Sequence, residues 1–173
     1  PAEVALNAGA DIINDVSGLR RDPRMVDVIA KAKGAILMAW PERKYAGRPI
    51  TAIKSLLRQN LKRAERSLAP HRIVLDPGIG FFRSQGLDWW KWDLAVLRDL
   101  AELRSLGRPL LVGVSRKSFL GKILNQPRPE DRLTGSLAAT AIAVYNGAAI
   151  IRTHDVAQTK DVLKIVESLT RTA

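Results

Sequence analysis

The chain of 173 residues contains no cysteine, which excludes disulfides, thiolate metal sites and thiol redox chemistry. Any reaction it performs must use carboxylates, amides, cations or hydroxyls. It also lacks an apolar run near the roughly 20 residues that cross a bilayer, and no basic start leads into an apolar centre in the manner of a signal peptide. No membrane contact is expected, and the cytoplasm is the expected compartment. Acidic side chains are the minority charge, with 17 Asp and Glu against 28 Lys and Arg for a net +11. An excess of that sign steers phosphates, nucleic acid and acidic membranes toward a protein. The cations are nevertheless scattered, without long blocks, and none of their stretches is interleaved with aromatics, which are only 5% of residues. That pattern does not suit nucleic acid. Solvated helix faces and one anionic small-molecule substrate account for the charge, and no nucleic-acid partner is expected.

Hydrophobic residues are plentiful, 46% against 26% charged, so one globular domain over residues 1–173 is expected. Short apolar runs at 11–14, 35–39, 72–76, 110–114 and 149–152 have strand length and β-branched content. Longer stretches with helical spacing separate them. The first, 22–34, has Asp22 as N-cap, Pro23 in the first turn and Gly34 at its end; the second, 51–70, repeats Ile53, Leu56, Leu57, Leu61, Ala64 and Leu68 near the helical period. Further helices are expected over 88–107, 131–147 and 155–169, with loops at 40–50, 77–88 and 124–130. Strands alternating with helices imply parallel pairing beneath covering helices, the α/β class. Five such units fit an open doubly wound sheet as well as part of a (β/α)8 barrel.

In parallel α/β folds, ligands bind at the carboxyl ends of the strands. Here the first strand ends in Asn14 and Asp15, the third in Asp76, the fourth runs into Ser115, Arg116, Lys117 and Ser118, and the fifth into Arg152, Thr153, His154 and Asp155. One polar residue in such a place is commonly a helix cap. Repeated at most of the strand ends, they suggest a shared polar crown. Asn14 and Asp76 suit the edge of an aminated heterocycle. Lys117, Arg152 and His154 supply positive charge for an anion, aided by free N–H groups where Lys117 and Ser118 open a helix. Taken singly, each has a plainer role: Asp76 in a turn before Pro77, Asn14 and Asp15 as loop caps, Lys117 in solvent, His154 as a structural side chain. The Lys-Ser pair lacks the glycine spacing of a P-loop, no set of His, Asp and Glu has metal-ligand spacing, and Trp89, Trp90 and Trp92 read as packing residues.

The stretches GADIINDVSG (9–18), VLDPGIGF (74–81), LLVGVSRKSFLG (110–121) and RLTGSLAATAIAVYNGAAIIRTHDV (132–156) resemble the dihydropteroate synthase family in order and spacing. The resemblance implies a (β/α)8 barrel of TIM type, of which this chain carries the last five βα units, with the first three strands preceding Pro1. It implies a transferase of folate biosynthesis that joins 6-hydroxymethyl-7,8-dihydropterin diphosphate to 4-aminobenzoate and releases diphosphate, with magnesium as cofactor. By the same resemblance Asn14 and Asp76 hold the pterin, Lys117 hydrogen-bonds it, and Ser118 lies by the aminobenzoate. Arg152 and His154 contact the pterin face and the phosphates, Phe81 lines the region between the two substrates, and Gly113 allows close ring approach. Lys117, Arg152 and His154 are the expected catalytic residues. The family's magnesium-binding Asn falls in the part before Pro1, so no metal ligand is expected in this chain, and the truncated chain alone is expected to be inactive. Homodimers through the late helices are implied.

The sequence departs from the family at two places. A Met-His-Met run is replaced by Met38, Ala39 and Trp40, and the Gly-Lys pair after DPGIGF by Phe82 and Arg83. Two rival functions are a pterin-binding methyltransferase acting between a methylated folate and a corrinoid partner, and a non-catalytic fragment that binds anions or pterin. The Ser-Arg-Lys-Ser and Arg-Thr-His-Asp stretches speak against the former.

Overall fold

The computed structural model describes residues 1–83 and 88–171, so residues 84–87 of the expected 77–88 loop lie outside the described residues. Helices and strands alternate in the order α1 (Ala2–Asn7), β1 (Ile12–Asp15), α2 (Met25–Lys31), β2 (Gly34–Met38), α3 (Pro49–Ala64), β3 (Ile73–Asp76), α4 (Trp89–Arg98), β4 (Leu111–Val112), α5 (Ser118–Leu124), α6 (Leu133–Tyr145), β5 (Ile150–Ile151) and α7 (Val156–Arg171). β1 pairs with β2 and β2 with β3, all parallel, through registers such as Asn14–Ile36 and Leu37–Leu75. β4 pairs with β5, also parallel, at Leu111–Ile150 and Val112–Ile151. A parallel bridge between Leu75 and Leu110, with the Leu75 N–H donating to Pro109 O at 2.9 Å, joins the two groups. Spatial order therefore follows chain order, as successive βα units require.

The register sorts the side chains onto two faces. Leu37, Ile73, Leu75 and Val112 are fully buried and share one contiguous core with Ile53 and Leu57 of α3 and Val96 of α4. Each such side chain contributes roughly 1.5–3 kcal/mol by leaving water. Residues one position away along the strands point to the other face: Ile12 and Ile150 are 53% and 40% exposed, and Asn14 and Arg152 are exposed as well. This second face carries Asn14, Asp76 and Arg152. Among the described residues, no helix is long and apolar enough to cross a membrane.

Several boundaries differ from the sequence-based expectation. α2 begins at Met25 rather than at Pro23 because Asp22 closes a turn instead: its carboxylate accepts the Arg24 N–H at 2.9 Å and its backbone oxygen the Met25 N–H at 3.0 Å. Gly34 does not end that helix but opens β2, since Lys33 and Gly34 both donate to Asp11 O and are drawn into the ladder. α3 starts earlier, with Pro49 in its first turn, and ends at Ala64 rather than Pro70. The 88–107 helix divides: after Arg98 the chain tightens into a 3-10 helix over Leu100–Leu106, and Gly107 closes it at φ 65°, a left-handed conformation suited to glycine. β4 and β5 are shorter than expected, two residues each.

Candidate active site

The carboxyl end of β3 supplies a buried carboxylate and a loop. Asp76 is only 5% exposed, and its Oδ1 accepts the Gly78 N–H at 2.8 Å. Burial raises its pKa above the ordinary carboxylate value, while that hydrogen bond and the Arg152 and Lys117 cations pull it back down. The loop continues to Gly80, whose φ of 88° is left-handed; a Cβ there would lie 3.1 Å from Lys117 Nζ. Glycine thus serves both the turn and the close approach of the lysine. The Gly80 N–H donates to Asp93 Oδ1 at 2.8 Å. Asp93, on α4, is 1% exposed, its Oδ2 has no hydrogen-bond partner, and burial pushes its pKa up to about 6.

At the end of β4, the cations Arg116 and Lys117 have different surroundings. Arg116 has φ 57° and a guanidinium engaged by Asp155 through Nη2–Oδ1 at 2.6 Å and Nε–Oδ2 at 3.2 Å. Its backbone is gripped from α6 and the turn before it: the N–H donates to Ser136 Oγ at 2.8 Å, and the carbonyl accepts from Arg132 Nη1, at the N-cap of α6, at 2.9 Å. Arg132, 7% exposed, also donates to Gln126 O at 2.9 Å and to Pro127 O. Lys117 lies with Nζ 4.8 Å from the centroid of the Phe81 ring, a cation–π placement. Its pKa is lowered by burial and then by Arg152, with Asp76 and Asp93 opposing.

β5 delivers Arg152 and His154. A Cβ on Gly113 would sit 3.1 Å from Arg152 Nε, so the missing side chain lets the guanidinium lie close against the strand. The His154 N–H donates to Ser115 Oγ at 3.2 Å, and the same oxygen lies 2.9 Å from His154 Nδ1.

Phe81, Gly113, Lys117, Arg152 and His154 line one cavity of about 650 Å3, so five of the residues singled out in the sequence come together. Asp76 is coupled to that cavity through the charges of Lys117 and Arg152. Ser118 is adjacent, its Oγ accepting from Arg83 Nη2 at 2.5 Å, and Arg83 in turn stacks its guanidinium over Trp89, 4.3 Å from the ring centroid. Asn14 does not line the cavity. It shares the open face with Asp76 but stands level with Ile36 and Val74, whereas Asp76 is level with Met38. Asp15 points the other way and binds its own loop, accepting the N–H groups of Ser17 at 3.0 Å and Leu19 at 2.5 Å. Trp40 tilts against Phe81 with centroids 5.7 Å apart, and Phe82 stacks on Trp92 at 5.1 Å inside the core. Sequence reasoning missed the supporting roles of Asp93, Ser115 and Arg132. Asp93 left a signal, a lone carboxylate on the helix face shared by Trp89, Val96 and Leu97. Among the described residues, no group of three or more His, Asp and Glu could hold a metal ion, and the polar lining is mainly cationic. These residues therefore do not fit magnesium.

A sequence model described as Pterin binding enzyme matches residues 1–154, and the chain belongs to that family. It is 39% identical to the dihydropteroate synthase of Synechocystis, with 98% of this chain and 60% of that protein covered. A dihydropteroate synthase structure from Clostridium difficile, obtained in the presence of pteroic acid, superposes with a TM-score of 0.88 at 36% identity, covering 97% of this chain and 63% of that one. One from Xanthomonas albilineans with 4-aminobenzoic acid gives 0.88 at 32% identity, covering 98% and 61%. The fold is that of these TIM-barrel-type enzymes, and the chain spans about 60% of the length of the curated relatives it matches.

Proposed function

We propose that the protein to which this chain belongs is a dihydropteroate synthase. The observation that carries the proposal is the convergence of a buried carboxylate, Asp76, with the cations Lys117 and Arg152 beside one cavity walled by Phe81. In the reaction, the amine nitrogen of 4-aminobenzoate forms a bond to the methylene carbon of the pterin as that carbon's bond to the diphosphate oxygen breaks. The electron pair leaves with diphosphate, and the nitrogen gives up a proton. Asp76, with Asn14 on the same face, accepts the N–H edge of the pterin, and Lys117 and Phe81 bound the ring. Arg152 and the His154 ring meet the leaving phosphates, while Ser118 stands toward the aminobenzoate. Catalysis is then chiefly charge stabilisation in a prepared site. The cationic lining favours this reading over methyl transfer to a corrinoid, which releases no diphosphate.

The test is Lys117→Ala and Arg152→Ala in the full-length protein. Each is expected to lower kcat/KM about 100-fold or more with the circular dichroism spectrum unchanged; wild-type rates in either would remove the assignment. The same proposal takes small molecules as the partners, the cytoplasm as the location and a homodimer as the assembly. Exposed apolar side chains on α6 and α7, among them Ile142, Tyr145, Ile165 and Leu169, at 48% to 66% exposure, support a dimer, and a purely monomeric sedimentation profile would count against it.

A further inference from the structure

A second cavity, of about 600 Å3, is lined by Leu19, Arg20, Pro23, Glu42, Arg63 and Arg66 among others, and it shares no lining residue with the first. We propose that this Arg20–Arg63–Arg66 cavity is a binding site for a phosphoryl dianion, free or carried on a small apolar body.

The Arg20 side chain is only 11% exposed. Its Nη1 pairs with Glu42 and its Nη2 donates to Gln59 Oε1 at 3.3 Å, yet its Nε is buried without a hydrogen-bond partner. Arg63 likewise has a buried Nη1 with none. Those two nitrogens are closed off from the cavity as from water, so the donors open to a ligand are the remaining ones of Arg63 and Arg66, neither of which has an acidic partner among the ion pairs of the described residues although both line the cavity with Arg20. An arginine in the last turn of α3 is ordinarily explained by the helix dipole, but that accounts for the charge of Arg63 and not for its sharing one lining with Arg20 and Arg66.

Charge sets the ligand. Three guanidinium groups face one carboxylate, Glu42, which leaves an excess of two positive charges, and the planar forks of arginine suit the oxygens of a phosphoryl group. Leu19, Pro23 and Val26 supply an apolar wall, which suits a monoester better than bare phosphate. Leu19 itself has φ 63°, a conformation costly for a side chain of its size. The Asp15 carboxylate holds it there, and this fixes where Arg20 leaves the chain.

Titration calorimetry and 31P NMR with inorganic phosphate, and separately with phenyl phosphate, test the proposal at constant ionic strength. Phenyl phosphate is expected to bind more tightly than phosphate. The Arg63→Gln/Arg66→Gln double variant should weaken both by roughly tenfold or more, and Glu42→Gln should strengthen both, since it removes the anion now competing for Arg20. Arg152→Gln, in the other cavity, should leave this site unchanged. Binding no tighter than that of chloride, or affinity lost only with Arg152→Gln, would overturn the proposal. So would Glu42→Gln without a gain in affinity, which decides the matter even if the double variant does not fold.

Discussion

Arg116 and Lys117 are neighbours of like charge, yet their partners give them different work. Asp155 occupies Arg116 in both directions of its fork, so its charge is spent on joining the ends of β4 and β5. Lys117 keeps its charge turned to Phe81 and the cavity. The same scale explains what was legible in the sequence. Asp76, Lys117, Arg152 and His154 could be picked out because strand ends are fixed by apolar runs, and a charged residue directly after such a run has few places to go. Asp93 shows in the sequence only as a carboxylate on an apolar helix face; its role does not, because its partner is a backbone N–H contributed by a loop 13 residues earlier. Its raised pKa gives a prediction. The folded-state value of about 6 lies above the ordinary 3.8, so the ionised form disfavours the fold; the stability contribution of the protonated form is complete below pH 3.8 and lost as pH rises through 6. Asp93→Asn keeps an acceptor for Gly80 and removes that cost. Urea denaturation should show the variant more stable than wild type by about 1–3 kcal/mol at pH 7.5, with the difference gone by about pH 4. A constant difference across that range would mean that Asp93 does not titrate.

At the level of elements, the loop after β4 is held by α6 as much as by its own strand. Arg132 reaches the carbonyls of Arg116, Gln126 and Pro127, and Ser136 bonds both the Arg116 N–H and the Arg132 carbonyl, at 2.8 Å each. Arg132→Ala would leave three carbonyls without their donor, at a cost of about 2–4 kcal/mol in thermal or urea unfolding. Arg132→Lys should recover less than half of it, because one ammonium does not reproduce a planar fork; full recovery by lysine would reduce the residue to a point charge. Strand positions were readable because β-branched apolar runs have few alternatives. The ends of the helices were not. Whether Gly34 closes α2 or opens β2 depends on Asp11 O, to which the chain returns only after the helix has formed, and the conversion of the 88–107 helix to 3-10 geometry has no composition signal.

Over the whole molecule, protection should be uneven. β2 is paired on both sides, and its Leu37 is fully buried, whereas β1 and β5 each pair on one side among the described residues and carry the exposed Ile12 and Ile150. Hydrogen exchange should be slowest in β2 and β3 and faster in α1, which has no buried residue. Equal rates along the chain would contradict this layering. The strand order has a kinetic consequence as well. Because each of β2 to β5 finds a partner in the strand synthesised just before it, this stretch of sheet can lengthen from a growing margin while the ribosome is still adding residues.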